Sequence, residues 1–123
     1  MRGLKMNCLL KIEQDLYNIL TQSTGLDVYT NVPEDIDFPF IKIGDIDAKD
    51  WLIEPKSYIV DVPIMVYEAG NSNVNCIEIS KKVKESIVHA NLGFSMAGTS
   101  VYQLKNGIWC VEIKLKIKVI EGT

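Results

Sequence analysis

Apolar residues recur at helical spacing near the start of the chain. Leu9, Ile12, Leu16, Ile19 and Leu20 share one side, with Lys11, Glu13, Gln14 and Asn18 on the other. This predicts a first helix over about 4–22, ended by Ser23-Thr24-Gly25. The pattern then changes. Val28–Asn31 reads as a short strand, and Pro33 stops it because proline cannot donate into a ladder. Pro39 can sit only at the start of the next strand. Phe40–Ile46 is therefore expected to be the second, with Phe40 or Ile41 choosing the buried face.

Residues 47–56 read as a polar connection carrying Trp51 and Pro55. Beyond it Val60, Val62, Ile64 and Val66 alternate with Asp61, Pro63, Met65 and Tyr67, a period-two strand. Pro63 inside that strand predicts an edge position or a bulge. Gly70-Asn71-Ser72-Asn73 turns the chain into a second helix, for which Asn75 and Glu78 offer a capping pair. Its buried stripe is Cys76, Ile79, Val83 and Ile87, opposite Lys81, Lys82 and Lys84, and Asn91-Leu92-Gly93 ends it. Two strands follow, about 99–105 and 109–120, joined at Asn106-Gly107, a strong short hairpin signal. In the last one Val111, Ile113, Leu115, Ile117 and Val119 face one way. Glu112, Lys114, Lys116 and Lys118 face the other.

The expectation is an α+β fold in one domain over 1–123, in the order α-β-β-β-α-β-β. Two helices pack on one face of a mainly antiparallel sheet of about five strands. A chain of 123 residues can bury a core without a metal or disulfide staple. Its 47% hydrophobic and 24% charged residues are those of an ordinary soluble globular protein. The three cysteines (Cys8, Cys76, Cys110) lack Cys-x-x-Cys spacing, which excludes a disulfide framework and fits a reducing compartment. Leu9-Leu10 is hemmed in by Lys5, Lys11 and Glu13, so no signal-peptide core is expected there, and no apolar window is long enough for a membrane.

Charge changes the picture more. The net charge of −3 argues against a dedicated nucleic-acid binder. Yet residues 34–54 carry seven acids against Lys42 and Lys49. Asp35, Asp37, Asp45, Asp47, Asp50 and Glu54 could in principle cup a hard cation, but the spacing fails the EF-hand pattern. Solvated loop acids or a protein interface are the preferred readings. Lys114, Lys116 and Lys118 form a one-sided basic row with a spacing of ~7 Å along the strand. Three readings stay open for it: a solvent face or lysine-guarded edge, a contact with DNA phosphates, or docking against the acidic 34–54 segment of another copy. Trp51 beside Leu52 and Ile53 is either a partner anchor or a loop folded back on its own core. His89 could pair with a cysteine for nucleophilic chemistry, but the cysteines fall on apolar stripes and a histidine near a helix end has an electrostatic reason to be there. No catalytic, cofactor or metal residues are expected. The candidate interface is Asp45, Asp47, Asp50, Trp51, Lys114, Lys116 and Lys118.

One arrangement spans roughly residues 8–120. It runs from Val28-Tyr29 and Val32-Pro33 to Phe38-Pro39-Phe40-Ile41-Lys42-Ile43-Gly44, then Asp50-Trp51, the strand Val60–Tyr67 and the helix after the Gly70 turn. It resembles the small tail-terminator (tail-completion, tail-to-head joining) proteins of long-tailed bacteriophages and prophages. The resemblance implies a non-enzymatic protein that forms a ring, commonly hexameric. That ring caps the tail tube at its set length and offers a surface to the DNA-filled head. Implied partners are further copies, the tail-tube protein and the head-completion protein, with DNA passing through the ring and no membrane. The implied location is the host cytoplasm during assembly, then the head-proximal end of the virion tail. The tight Asn106-Gly107 hairpin stands where relatives often carry a longer excursion, so no contact positions carry over there. Two other functions compete. One is a head-side connector or neck component. The other is a small dimeric host domain that binds a ligand or acts as an enzyme, which would need a deep apolar pocket with convergent polar groups.

Overall fold

The computed structural model describes residues 2–50, 57–105 and 107–120, with side-chain surroundings for 8–49, 57–105 and 107–120. Helix α1 spans Arg2–Thr24 and α2 spans Val74–Ala90. The strands are β1 (Val28–Tyr29), β2 (Phe40–Ile43), β3 (Asp47–Asp50), β4 (Ser57–Ala69), β5 (Ser95–Lys105) and β6 (Ile108–Ile120). The sheet runs β1-β2-β4-β6-β5, with β3 also paired to β4 beyond the end of β2. Among the described residues only β1 and β2 pair in parallel. The fold is α+β as the pattern predicts, with six strands rather than about five. The extra strand is β3, inside the segment read as a polar connection.

Alternation builds one core from both layers. Val60, Val62, Ile64 and Val66 of β4 and Val111, Ile113 and Leu115 of β6 are all essentially sealed from solvent. Ile12, Leu16 and Leu20 of α1 and Cys76, Val83 and Ile87 of α2 close over them. Thr24 ends α1 by donating to Leu20 O at 2.7 Å, while Gly25 takes a φ of +68° that a side chain would resist. Asn91 ends α2 in the left-handed region, as its position predicts. The start of α2 differs from expectation. Asn73, not Asn75, is the cap residue, and its side chain makes no capping bond. Asn75 lies inside the helix, where its amide donates to the buried carboxylate of Glu68. Ala69 N donates to that carboxylate at 2.8 Å. Burying a charge without such partners would be costly, so the asparagine serves the acid rather than the helix end.

Pro63 lies in the middle of the sheet, not at an edge. Gly44 N donates to Pro63 O at 2.8 Å, and in an antiparallel ladder a residue's nitrogen and carbonyl point to the same neighbour. The proline nitrogen therefore faces residues 44–46, where the chain passes from β2 to β3 and no ladder bond is needed. The break between two strands absorbs the missing donor. Gly44 is part of the same fit: a Cβ there would lie 2.7 Å from Pro63 Cγ and 2.9 Å from Met65 Cε. Met65 can swing aside, but the proline ring cannot. Gly44→Ala is expected to cost about 1–3 kcal/mol by overpacking, read as a lowered urea midpoint. Adding Pro63→Ala should recover part of that loss. An unchanged midpoint for Gly44→Ala would show that the close approach imposes no constraint.

Candidate functional site

The sheet face opposite the helices carries the chemistry that the core does not use. Lateral pairing places Phe40, Tyr67, Cys110 and Tyr102 in one row across β2, β4, β6 and β5. Phe40 stacks on Tyr67 at 4.8 Å between ring centres, Tyr29 meets Phe40 edge-on at 5.9 Å, and Phe38 covers it at 5.3 Å. Such pairs add about 0.5–1.5 kcal/mol each beyond area burial. Phe40 and Ile41 are consequently both buried, one on each face.

Cys110 is sealed within this row. Burial pushes its thiol above the ordinary range, while the hydroxyls of Tyr102 and Tyr67, which donate to the sulfur, pull the other way. The Tyr102 hydroxyl is raised, first by that bond to Cys110 and then by burial. Tyr67 is raised chiefly by burial, then by Cys110. On the helix side, burial pushes Cys76 up to about 11, and its Sγ donates to Val66 O at 3.1 Å. Cys8 is only half-buried, so it departs from the buried stripe expected of all three thiols. His89 is exposed on the last turn of α2.

Further along the same outer face the row becomes charged: Asp47 lies beside Asp61, and Asp61 beside Lys116. Asp61 is 3.4 Å from Lys116 Nζ and 3.8 Å from Lys49 Nζ. These half-exposed pairs are worth about 0–1 kcal/mol, so they arrange charge more than they stabilise. Asp45, Lys114 and Lys116 border a shallow depression of about 370 Å³ together with Asp61 and Glu112. Lys118 follows one pleat further along β6, opposite Ile59. Of the sequence-predicted charged residues, Asp45, Asp47, Lys114, Lys116 and Lys118 thus share one face. Asp50 closes β3 opposite Tyr58, and its side chain lies outside the described residues, as does Trp51. The lysine row is not an edge guard, because β6 lies between β4 and β5.

The edge is β5, and sequence reasoning passed it over. Every residue from Ser95 to Lys105 is exposed, including Met96, Val101, Tyr102 and Leu104. Its one charged residue is Lys105. That scarcity of charge in an eleven-residue strand was the available signal. A depression of about 570 Å³ between α1 and β1 has mixed walls, with Glu13, Gln14, Asn18 and Asn31 beside Tyr17, Val28 and Tyr29. Among the described residues no three metal-ligating side chains come together, and no helix is long and apolar enough to cross a membrane.

No protein-family model matches the chain, and no curated protein matches it. Among solved structures, the fold is similar to a chain from the virion of a native gene transfer agent particle. The TM-score is 0.71 at 15% sequence identity, covering 85% of this chain and 90% of that one. At that identity the likeness is one of fold.

The thiols provide a direct check of the burial described here. Cys8 should react promptly with a thiol reagent at pH 8, with Cys76 and Cys110 reacting only in denaturant. The raised pKa of Cys76 also sets a sign: its protonated form favours the folded state, so its contribution is intact below about pH 9 and lost as pH rises toward about 11. Three fast-reacting thiols in the native protein would contradict this packing.

Proposed function

We propose that this chain is a structural virion protein of a phage or prophage, a tail terminator that acts by assembly rather than catalysis. The single observation that carries the reading is a fold shared over most of both chains with a virion component. The order of elements around Phe38-Pro39-Phe40 supports the same choice. The mechanism is steric and electrostatic. Copies form a ring, with six the expected number, whose one face matches the end of the tail tube and stops further addition. The other face meets the head-completion protein and lets DNA pass. The protein would work in the host cytoplasm and then remain at the head-proximal end of the tail.

The outer-face charges, Asp45, Asp47, Lys114, Lys116 and Lys118, are the proposed contact surface, together with Asp50 and Trp51 as the sequence suggests. Lys114 and Lys116 sit where β6 is paired on both sides, which suits a docking surface. Reversing Lys114, Lys116 and Lys118 to glutamate should weaken ring formation or docking. Normal assembly and tail termination by that variant would remove this surface from consideration.

Light scattering across concentration, alone and with tail-tube protein, tests the function itself. A hexamer, or a monomer that becomes a ring only on the tube, is expected. A two-fold dimer indifferent to tube protein would overturn the reading. Capture of portal-side proteins instead of tube protein would identify a neck component.

A further inference from the structure

The sheet path ends at β1 on one side and at β5 on the other. Ladder geometry shows which groups are open. Pro63 O faces Gly44, so odd-numbered β4 residues direct their backbone groups toward β2 and even-numbered ones toward β6. On β6 the partners of those even residues, Val111, Ile113 and Leu115, are therefore bonded to β4. Glu112 and Lys114 direct theirs toward β5, and the contact from Ser95 Oγ to Lys116 O follows the same sense. Ser100 and Tyr102 then bond inward to β6. The N–H and C=O groups of Thr99, Val101 and Gln103 point outward, away from the sheet. Register shifts fall between Met96 and Gly98 and between Gln103 and Lys105, so Gly98–Gln103 is a regular stretch bracketed by irregular ends.

Nothing in the described fold covers this rim, and its side chains do not defend it. Val101 and Leu104 are 43% and 52% exposed, and no acid lies on β5. The opposite edge of the sheet is its complement. After β1, the segment 30–38, exposed except for the half-buried Ile36, carries Glu34, Asp35 and Asp37, with Val32 and Phe38 exposed among them. Direction also agrees. Both β4 and β5 run antiparallel to β6, whereas β2, with β1 parallel to it, runs antiparallel to β4. A second copy placed beside β5 in the same orientation therefore offers β1 antiparallel to it. Level agrees as well, since Val28, Ile41, Val66, Val111 and Val101 form one lateral row.

We propose that the Thr99–Gln103 rim of β5 is a subunit-joining edge, which takes the β1 edge and acidic segment of a second copy as an antiparallel continuation of its sheet. The contact is heterologous, joining two different edges, so repetition closes a ring or extends a chain rather than stopping at a dimer. It rests on the assembly reading above and assigns that assembly its contact.

The test uses the purified chain and two variants, with circular dichroism to confirm folding. Val101→Pro removes an outward N–H and leaves the β6 ladder whole, as edge prolines do. Glu34→Lys/Asp35→Lys/Asp37→Lys alters the opposite edge at exposed positions. Light scattering should give a ring mass for the wild type, alone or with tail-tube protein, and no ring for either variant in the same condition. Hydrogen exchange should show Thr99, Val101 and Gln103 slowed at least tenfold by assembly, with Ser100 and Tyr102 protected in both states. Open-rate exchange at Thr99, Val101 and Gln103 within an intact ring would overturn the rim while leaving the ring standing. A two-fold dimer lost in Val101→Pro but kept in the acidic-edge variant would show β5 pairing with itself, and would overturn it too. A wild type that never assembles, alone or with tube protein, would remove the assembly reading along with it.

Discussion

Continuous pairing of β4 with β6 is the constraint on which the rest of the structure depends. Every residue of β4 from Ser57 to Ala69 has a partner on β6. Because the two strands share one register throughout, their inward residues form a single apolar plate on which both helices rest. The opposite side of β4 is divided between β2 and β3, with Pro63 at the division. A proline in a central strand is ordinarily excluded because it leaves an acceptor without a donor. Here the chain itself is interrupted at that point, and Gly44 lets it pass close enough to donate to the proline carbonyl. One break serves both needs.

The same pairing sets the character of the outer face. With β4 and β6 interior, their outward residues cannot all be solvated, so that face divides into an aromatic half and a charged half. The aromatic half buries Phe40 and Cys110, giving the sheet a second, smaller apolar layer opposite the helices. The charged half keeps Asp61 between Lys49 and Lys116 and remains open to partners. A thiol between two tyrosines is thus explained as packing, with hydroxyl donors aimed at a sulfur that burial keeps protonated.

Much of this was legible in the sequence, and the failures share a cause. The α1 and α2 stripes, the alternation of β4 and β6, and the Gly107 turn between β5 and β6 all carry local periodicity or turn chemistry. What local pattern cannot express is which strand lies next to which. Asp47-Ala48-Lys49-Asp50 has no strand-like composition and becomes β3 because β4 has an unpaired stretch to fill. Pro63 looked like an edge residue because the compensating break lies some twenty residues earlier in the chain. Asn75 looked like a cap because its real partner, Glu68, is on another element. Of the candidate interface, Asp45, Asp47, Lys114, Lys116 and Lys118 were picked by charge and spacing alone. Their shared face required knowing that β3 and β6 flank β4.

The unguarded β5 edge is then hard to explain in a protein that stays alone. Natural sheets protect such edges with inward charges, prolines or short strands, because a bare ladder recruits other chains. This strand has none of those over Thr99–Gln103, although the chain places a proline in β4 and lysines along β6, where edge protection is not needed. The register shifts at its two ends provide the only restraint visible in the strand, and they do so by limiting length rather than by blocking contact. A short regular stretch between irregular ends favours one register over sliding alternatives, which indiscriminate aggregation would not require. Selection for a defined neighbour accounts for both features at once: an edge left open, and an opening cut to a fixed size.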